Sequence, residues 1–198
     1  MVPHRPQSAR LHPGALGHTG AVTIEPDTKD WTWVLSRPCP ECGFDPAQVR
    51  VGDLADLVHE NTRGWYGALV GPDAAVRPAA NVWSPLEYAC HVRDVHRLFA
   101  ERLTLMLEQD DPQFADWDQD VTAVQSRYAE QDPATVSVEL VEAAADVAAI
   151  YARVEDDQWQ RPGRRSNGSV FTVETLGRYH LHDVDHHLHD IGRARART

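Results

Sequence analysis

Between Thr172 and Gly192 the chain carries His180, His182, His186, His187 and His189 inside a run whose apolar residues recur at helical spacing. A helix cannot bury five imidazoles on one stripe, so helical phase must sort them. At about 100° per residue, Val173, Leu176, Val184, Leu188 and Ile191 form one apolar face. His180 and His187 fall on or beside that face, and Asp183 lies at its edge. His182 and His186 are expected to point towards solvent. An α-helix stacks residues i and i+4 on one face, so Asp183 and His187 can grip one ion together.

His91 passes the same test in an earlier amphipathic run, in phase with Val95, Leu98 and Leu105, whereas His96 is expected at the surface. A histidine facing the Asp183/His187 pair from a second helix would complete a three-ligand set with open positions. Such a set suits catalysis, while closed four-ligand sets suit structure. The metal-free alternative is a buried hydrogen-bond network among the same residues. An unpaired buried carboxylate is costly, which favours an ion. Asp94 is expected either to support a ligand or to remain solvated. The expected metal ligands are therefore His91, Asp183 and His187.

The rest of the chain reads as an all-α protein, a bundle of four long antiparallel helices with an irregular N-terminal arm. Residues 1–28 are rich in Pro, Gly and His and are expected to be disordered or loosely attached. Residues 29–48 form the arm, with Trp31, Trp33 and Cys39-Pro-Glu-Cys-Gly-Phe. Residues 49–192 form the bundle, and 193–198 a basic tail. The first helix is expected over 49–70. The second begins at Ser84, with Pro85 and Glu87 completing a capping box, and runs to about Gln109. A short helix is expected near Trp117 to Tyr128. The third long helix spans roughly 133–154. A Gly-rich connection from Pro162 to Ser169 then leads to Thr172, the cap of the fourth. Asn167-Gly168 reads as a tight turn, and no strand alternation is evident.

The stretch Trp83-Ser84-Pro85-Leu86-Glu87-Tyr88-Ala89-Cys90-His91-Val92-Arg93-Asp94 resembles the second-helix motif of the DinB-like superfamily. That group includes the damage-inducible DinB proteins, the bacillithiol transferases and mycothiol-dependent maleylpyruvate isomerase. Asp183-Val184-Asp185-His186-His187-Leu188-His189-Asp190-Ile191 resembles the family's last helix. Aligning the His-His pairs places the family's two C-terminal ligands on Asp183 and His187, in agreement with the phase argument. A carboxylate stands where a histidine is common, as in maleylpyruvate isomerase. The resemblance covers about residues 49–192. It implies a four-helix bundle with a divalent metal (zinc, nickel or iron) near one end. It also implies an S-transferase or isomerase in which the metal activates a low-molecular-weight thiol towards an electrophilic small molecule. A non-catalytic metal-binding bundle of the stress response is the alternative.

Cys39-Pro-Glu-Cys-Gly resembles half of a zinc ribbon, making Cys39 and Cys42 a second candidate metal site. Two ligands are missing, and His59 or a second chain could supply them. An unmetallated thiol pair and a redox pair are the other readings. Cys90, the third cysteine, is expected as a small buried hydrophobe.

A net charge of −11 and the lack of a basic patch argue against nucleic acid and anionic lipid as partners. No apolar run reaches the length of a membrane span, and no signal-peptide core is evident, so a cytoplasmic location is expected. Lys29 is the only lysine among 19 basic residues. That bias points to a GC-rich genome, such as an actinobacterial one, and so to mycothiol as the co-substrate. Arg164, Arg165 and Arg178 are read as surface charges, with an anionic substrate group as their other potential partner. A homodimer is the default expectation for a bundle with an aromatic arm.

Overall fold

The computed structural model describes Ile24 and residues 29–196, the last four by backbone alone. The expectations for residues 1–28 and for the basic tail's side chains thus fall almost wholly outside the described residues. Four long helices carry the fold: α1 (Leu54–Leu69), α2 (Pro85–Glu108), α4 (Pro133–Tyr151) and α5 (Val173–Ala196). The short α3 (Gln119–Gln125) lies between α2 and α4 in the chain.

Each start has a local cause. Ser84 Oγ accepts from the Glu87 amide at 3.2 Å, and Glu87 returns a carboxylate to the Ser84 amide at 2.9 Å. Asp132 accepts from the Thr135 amide, with Pro133 fixing the first turn of α4. Thr172 and Thr175 make a reciprocal pair at the start of α5, each side chain accepting from the other's amide.

In cross-section α1 and α2 sit on one diagonal, and α4 and α5 each pack against both. Contacts fix the directions. Leu54 meets Gly177, Asn61 bonds to Asp185 and Gly64 meets Leu188, so α1 and α5 advance together and are parallel. His91 lies near Asp183 and His96 near His180, so α2 runs against α5. The expected bundle is therefore present, but not with every neighbouring pair antiparallel. Parallel neighbours cannot be joined by a tight turn: α1 and α5 are separated in the chain by α2 and α4, and α4 leads into α5 through residues 152–172.

That segment also corrects the strand-free reading. Pro162–Arg165 (β2) and Val170–Thr172 (β3) form an antiparallel hairpin, and Gln113–Phe114 (β1) pairs parallel to β2. Asn167-Gly168 turns the hairpin, with Gly168 at φ +97°, a conformation that disfavours side chains. Strands this short cannot display alternation. The sheet packs on the C-terminal half of α2, where Gly163 lies so close to Met106 that a Cβ would sit 2.6 Å from its Cγ.

The core runs through all four long helices, from Leu54, Val58 and Trp65 to Leu176, Val184 and Ile191. The arm, residues 29–48, forms short 3-10 turns at Trp31–Leu35 and Pro46–Gln48 and packs on α5. Among the described residues no helix is long and apolar enough to cross a membrane.

Candidate metal centre

His91 projects from the first turns of α2 and is fully buried, its ring stacked on Trp117 at 5.4 Å and tilted against Trp83. Trp117 reaches that position because β1 leads directly into its loop, which Ser166 Oγ anchors through the Asp116 amide. From α5, Asp183 and His187 face the same point. His91 Nε2 lies 3.4 Å and His187 Nε2 3.5 Å from Asp183 Oδ1. Two tetrahedral ligand atoms, each about 2.1 Å from an ion, are about 3.4 Å apart, so the spacing fits one ion between the three residues.

Hydrogen bonding supports the same fit. Neither ring nitrogen of His91 has a hydrogen-bond partner, and Asp183 Oδ1 also lacks one, although all three atoms are buried. Polar atoms left in that condition cost free energy that a bound cation would recover. Burial pulls the His91 pKa below its ordinary value, which keeps the ring neutral and its lone pair available. Burial alone would raise the Asp183 carboxyl, but His91 and then His187 outweigh it and hold the group well below the usual carboxylate range. Asp190 Oδ2 sits 3.4 Å from Nδ1 of His187, the nitrogen turned away from Asp183. A carboxylate there orients the ring and sets its tautomer. The same oxygen lies 3.9 Å from His186 Nε2.

The site opens into a cleft of about 940 Å³ whose lining includes Trp31, Trp83, Tyr88, Trp117, Arg165 and Tyr179. Asp183 and His187 also line it, and His91 lies behind them. Its walls combine these aromatic rings with six aspartates, and Lys29 and Arg165 are the cations among them. Arg164 pairs with Asp111, while Arg178 pairs with Glu174 and bonds to the Val49 carbonyl, so neither lines the cleft. Arg165, grouped with them in sequence, does.

Asp94 makes no bond to His91. It accepts from Tyr128 Oη at 2.6 Å and pairs with Arg93 and Arg97, a structural role. Cys90 is buried, as expected, with its thiol directed at Gln131 Oε1.

Three expectations about histidines require correction. His96 is fully buried, with Nδ1 2.9 Å from His180 Nε2, and His180 Nδ1 meets Tyr151 Oη at 2.9 Å. α2 is packed on several sides, so its apolar stripe does not exhaust its buried surface. His182 and His186 are also buried rather than solvated, because the arm covers the face of α5 opposite the bundle. Cys39 and Cys42 lie beside these two rings. His59 instead lines a groove between α1 and α4. Burial pushes the Cys42 thiol up to about 11.

A family model of the DinB superfamily matches residues 54–191. Among solved structures, YfiT from Bacillus subtilis superposes with a TM-score of 0.67 at 19% identity, over 81% of this chain and 93% of that one. It is described as a probable metal-dependent hydrolase with an unusual four-helix bundle topology. No curated protein matches the sequence. The match spans the four long helices and includes His91, Asp183 and His187, and the chain belongs to the DinB superfamily.

Proposed function

We propose that the chain is a metal-dependent enzyme that joins a low-molecular-weight thiol, such as mycothiol, to an electrophilic small molecule, or isomerises one through thiol addition. The observation that carries this reading is a two-His, one-carboxylate donor set, with His91 buried and Asp183 and His187 half-buried at the wall of an open cleft. Three protein ligands leave room for an exogenous one, the arrangement of catalytic rather than structural sites. A zinc, nickel or iron ion bound there would supply Lewis acidity, lowering the pKa of a thiol or water enough to give a nucleophile near neutral pH.

The chain's own residues supply the rest. His91 and His187 offer neutral imidazoles and Asp183 one negative charge, so a divalent ion would retain net positive charge for an anionic sulfur. Asp190 holds the His187 ring in place. Trp83, Trp117 and Tyr88 exclude water around the donors and present flat faces to an electrophile. Arg165, packed near Phe171 and Tyr179 and held by Asp116, Asn167 and Ser169, adds a fixed positive charge to the cleft wall.

The test compares metal-loaded wild type with His187→Ala in thiol conjugation to monochlorobimane, with simple ester hydrolysis run in parallel. Thiol-dependent turnover that falls to the uncatalysed rate in the variant is expected. Turnover of esters without thiol would assign water as the nucleophile, the chemistry that the description of YfiT names for that protein. Thermal stabilisation by metal without any turnover would favour a non-catalytic stress-response bundle.

A further inference from the structure

A second set of donors converges on the neighbouring, arm-covered face of α5, where His182 and His186 share the cleft lining with Asp183 and His187. We propose that Cys39, Cys42, His182 and His186 bind a zinc-type divalent ion in a closed structural site that clamps the arm to α5. One ligand atom from each lies within 4.8 Å of the others. Cys39 Sγ is 3.7 Å from His186 Nδ1. In a tetrahedral zinc site, with Zn–S about 2.3 Å and Zn–N about 2.05 Å, a sulfur and a nitrogen stand about 3.6 Å apart.

The local chemistry fits an ion better than a bare thiol pair. His182 is 3% exposed, and its Nε2 is buried without a hydrogen-bond partner. Trp31 packs its ring 5.6 Å from His182 and 5.0 Å from His186, and Phe44 lies 5.3 Å from His182, so aromatic rings cover most of both imidazoles. A thiol pair or a disulfide would leave that imidazole nitrogen unsatisfied. Two thiolates, two neutral imidazoles and a divalent cation sum to zero charge, the form a buried site can accept.

The backbone is shaped for chelation. Gly43, at φ +79°, returns its amide to the Cys39 carbonyl at 2.9 Å, and the Cys39 amide reaches the Phe44 carbonyl at 2.8 Å. This tight turn brings both sulfurs to one side. On the outer edge of His186, Nε2 faces Glu41 at 3.8 Å and Asp190 at 3.9 Å, leaving Nδ1 for the ion. Four protein ligands leave no position for substrate, so this ion would hold structure.

This proposal does not depend on the enzymatic reading. Its test uses full-length protein without a histidine tag: wild type, His187→Ala, and the Cys39→Ser/Cys42→Ser double variant. Elemental analysis is expected to show one equivalent of metal lost in each variant relative to wild type. Cobalt-loaded His187→Ala is expected to show thiolate-to-cobalt charge-transfer absorption and the intense visible bands of a tetrahedral ion. The cobalt spectrum needs no cysteine substitution, so it decides the question even if the double variant misfolds. Absence of charge transfer in cobalt-loaded His187→Ala, or a double variant with the metal content of wild type, would overturn the proposal. Either result leaves the ion at His91, Asp183 and His187 to be judged by its own assay.

Discussion

Acidification should destabilise the bundle through His180, at a pH where carboxylates remain ionised. This ring is fully buried, and burial pulls its pKa down to about 4. Unfolded, it would titrate near its ordinary value of 6.5. The unfolded chain therefore binds the extra proton first. Stability due to the neutral ring is complete above about pH 6.5 and is lost as pH falls towards 4. Integrating between about pH 7.5 and about pH 5 gives a loss of about 2 kcal/mol from this group alone. Burial also depresses His96, His91, His182 and His186, which adds to the loss. Asp185, raised by burial to about 6, opposes it. His180 must therefore be isolated by difference. Urea unfolding of chelator-treated wild type and His180→Gln would be compared at the two pH values. Glutamine keeps a polar group near His96 but cannot titrate. Wild type should lose about 2 kcal/mol more than the variant over the interval. Equal losses, or an imidazole resonance of His180 that titrates near 6.5 in folded wild type, would refute the reasoning.

Arg77→Ala should cost about 1–3 kcal/mol in chemical denaturation, because it strips the ionic partner from Glu87, which is 3% exposed within the α2 capping box. Gly67→Ala should stabilise by up to about 1 kcal/mol, since a Cβ there meets nothing within 4 Å and helix propensity improves. Gly163→Ala should instead lower the melting temperature, because a new Cβ would sit 2.6 Å from Met106 Cγ inside the core. Asp190→Asn should weaken metal affinity about 10- to 100-fold in competition with a chelator, by removing the carboxylate that orients His187.

What could be read from the sequence was local. Ser84 and Thr172 announce helix starts through their own side chains, and the chain begins its helices there. The pairing of Asp183 with His187 was legible because i and i+4 share a face, and His91 because it follows the α2 apolar stripe. What failed was the assumption that each helix buries one face. α5 is covered by the bundle on one side and by the arm on another, so His182 and His186 were misplaced. No local pattern links Cys39 to His186, 147 residues away, and only the fold brings them together. The hairpin escaped notice because three paired residues per strand are too few to show a period.

The interleaving of Asp183 and His187 with His182 and His186 also limits how this family member can drift. Insertion or deletion of one residue early in α5 would turn every later side chain by about 100°. Both donor pairs would leave their partners at once. Length changes can accumulate in the segment between α4 and α5, but within α5 the lineage is held to substitution alone.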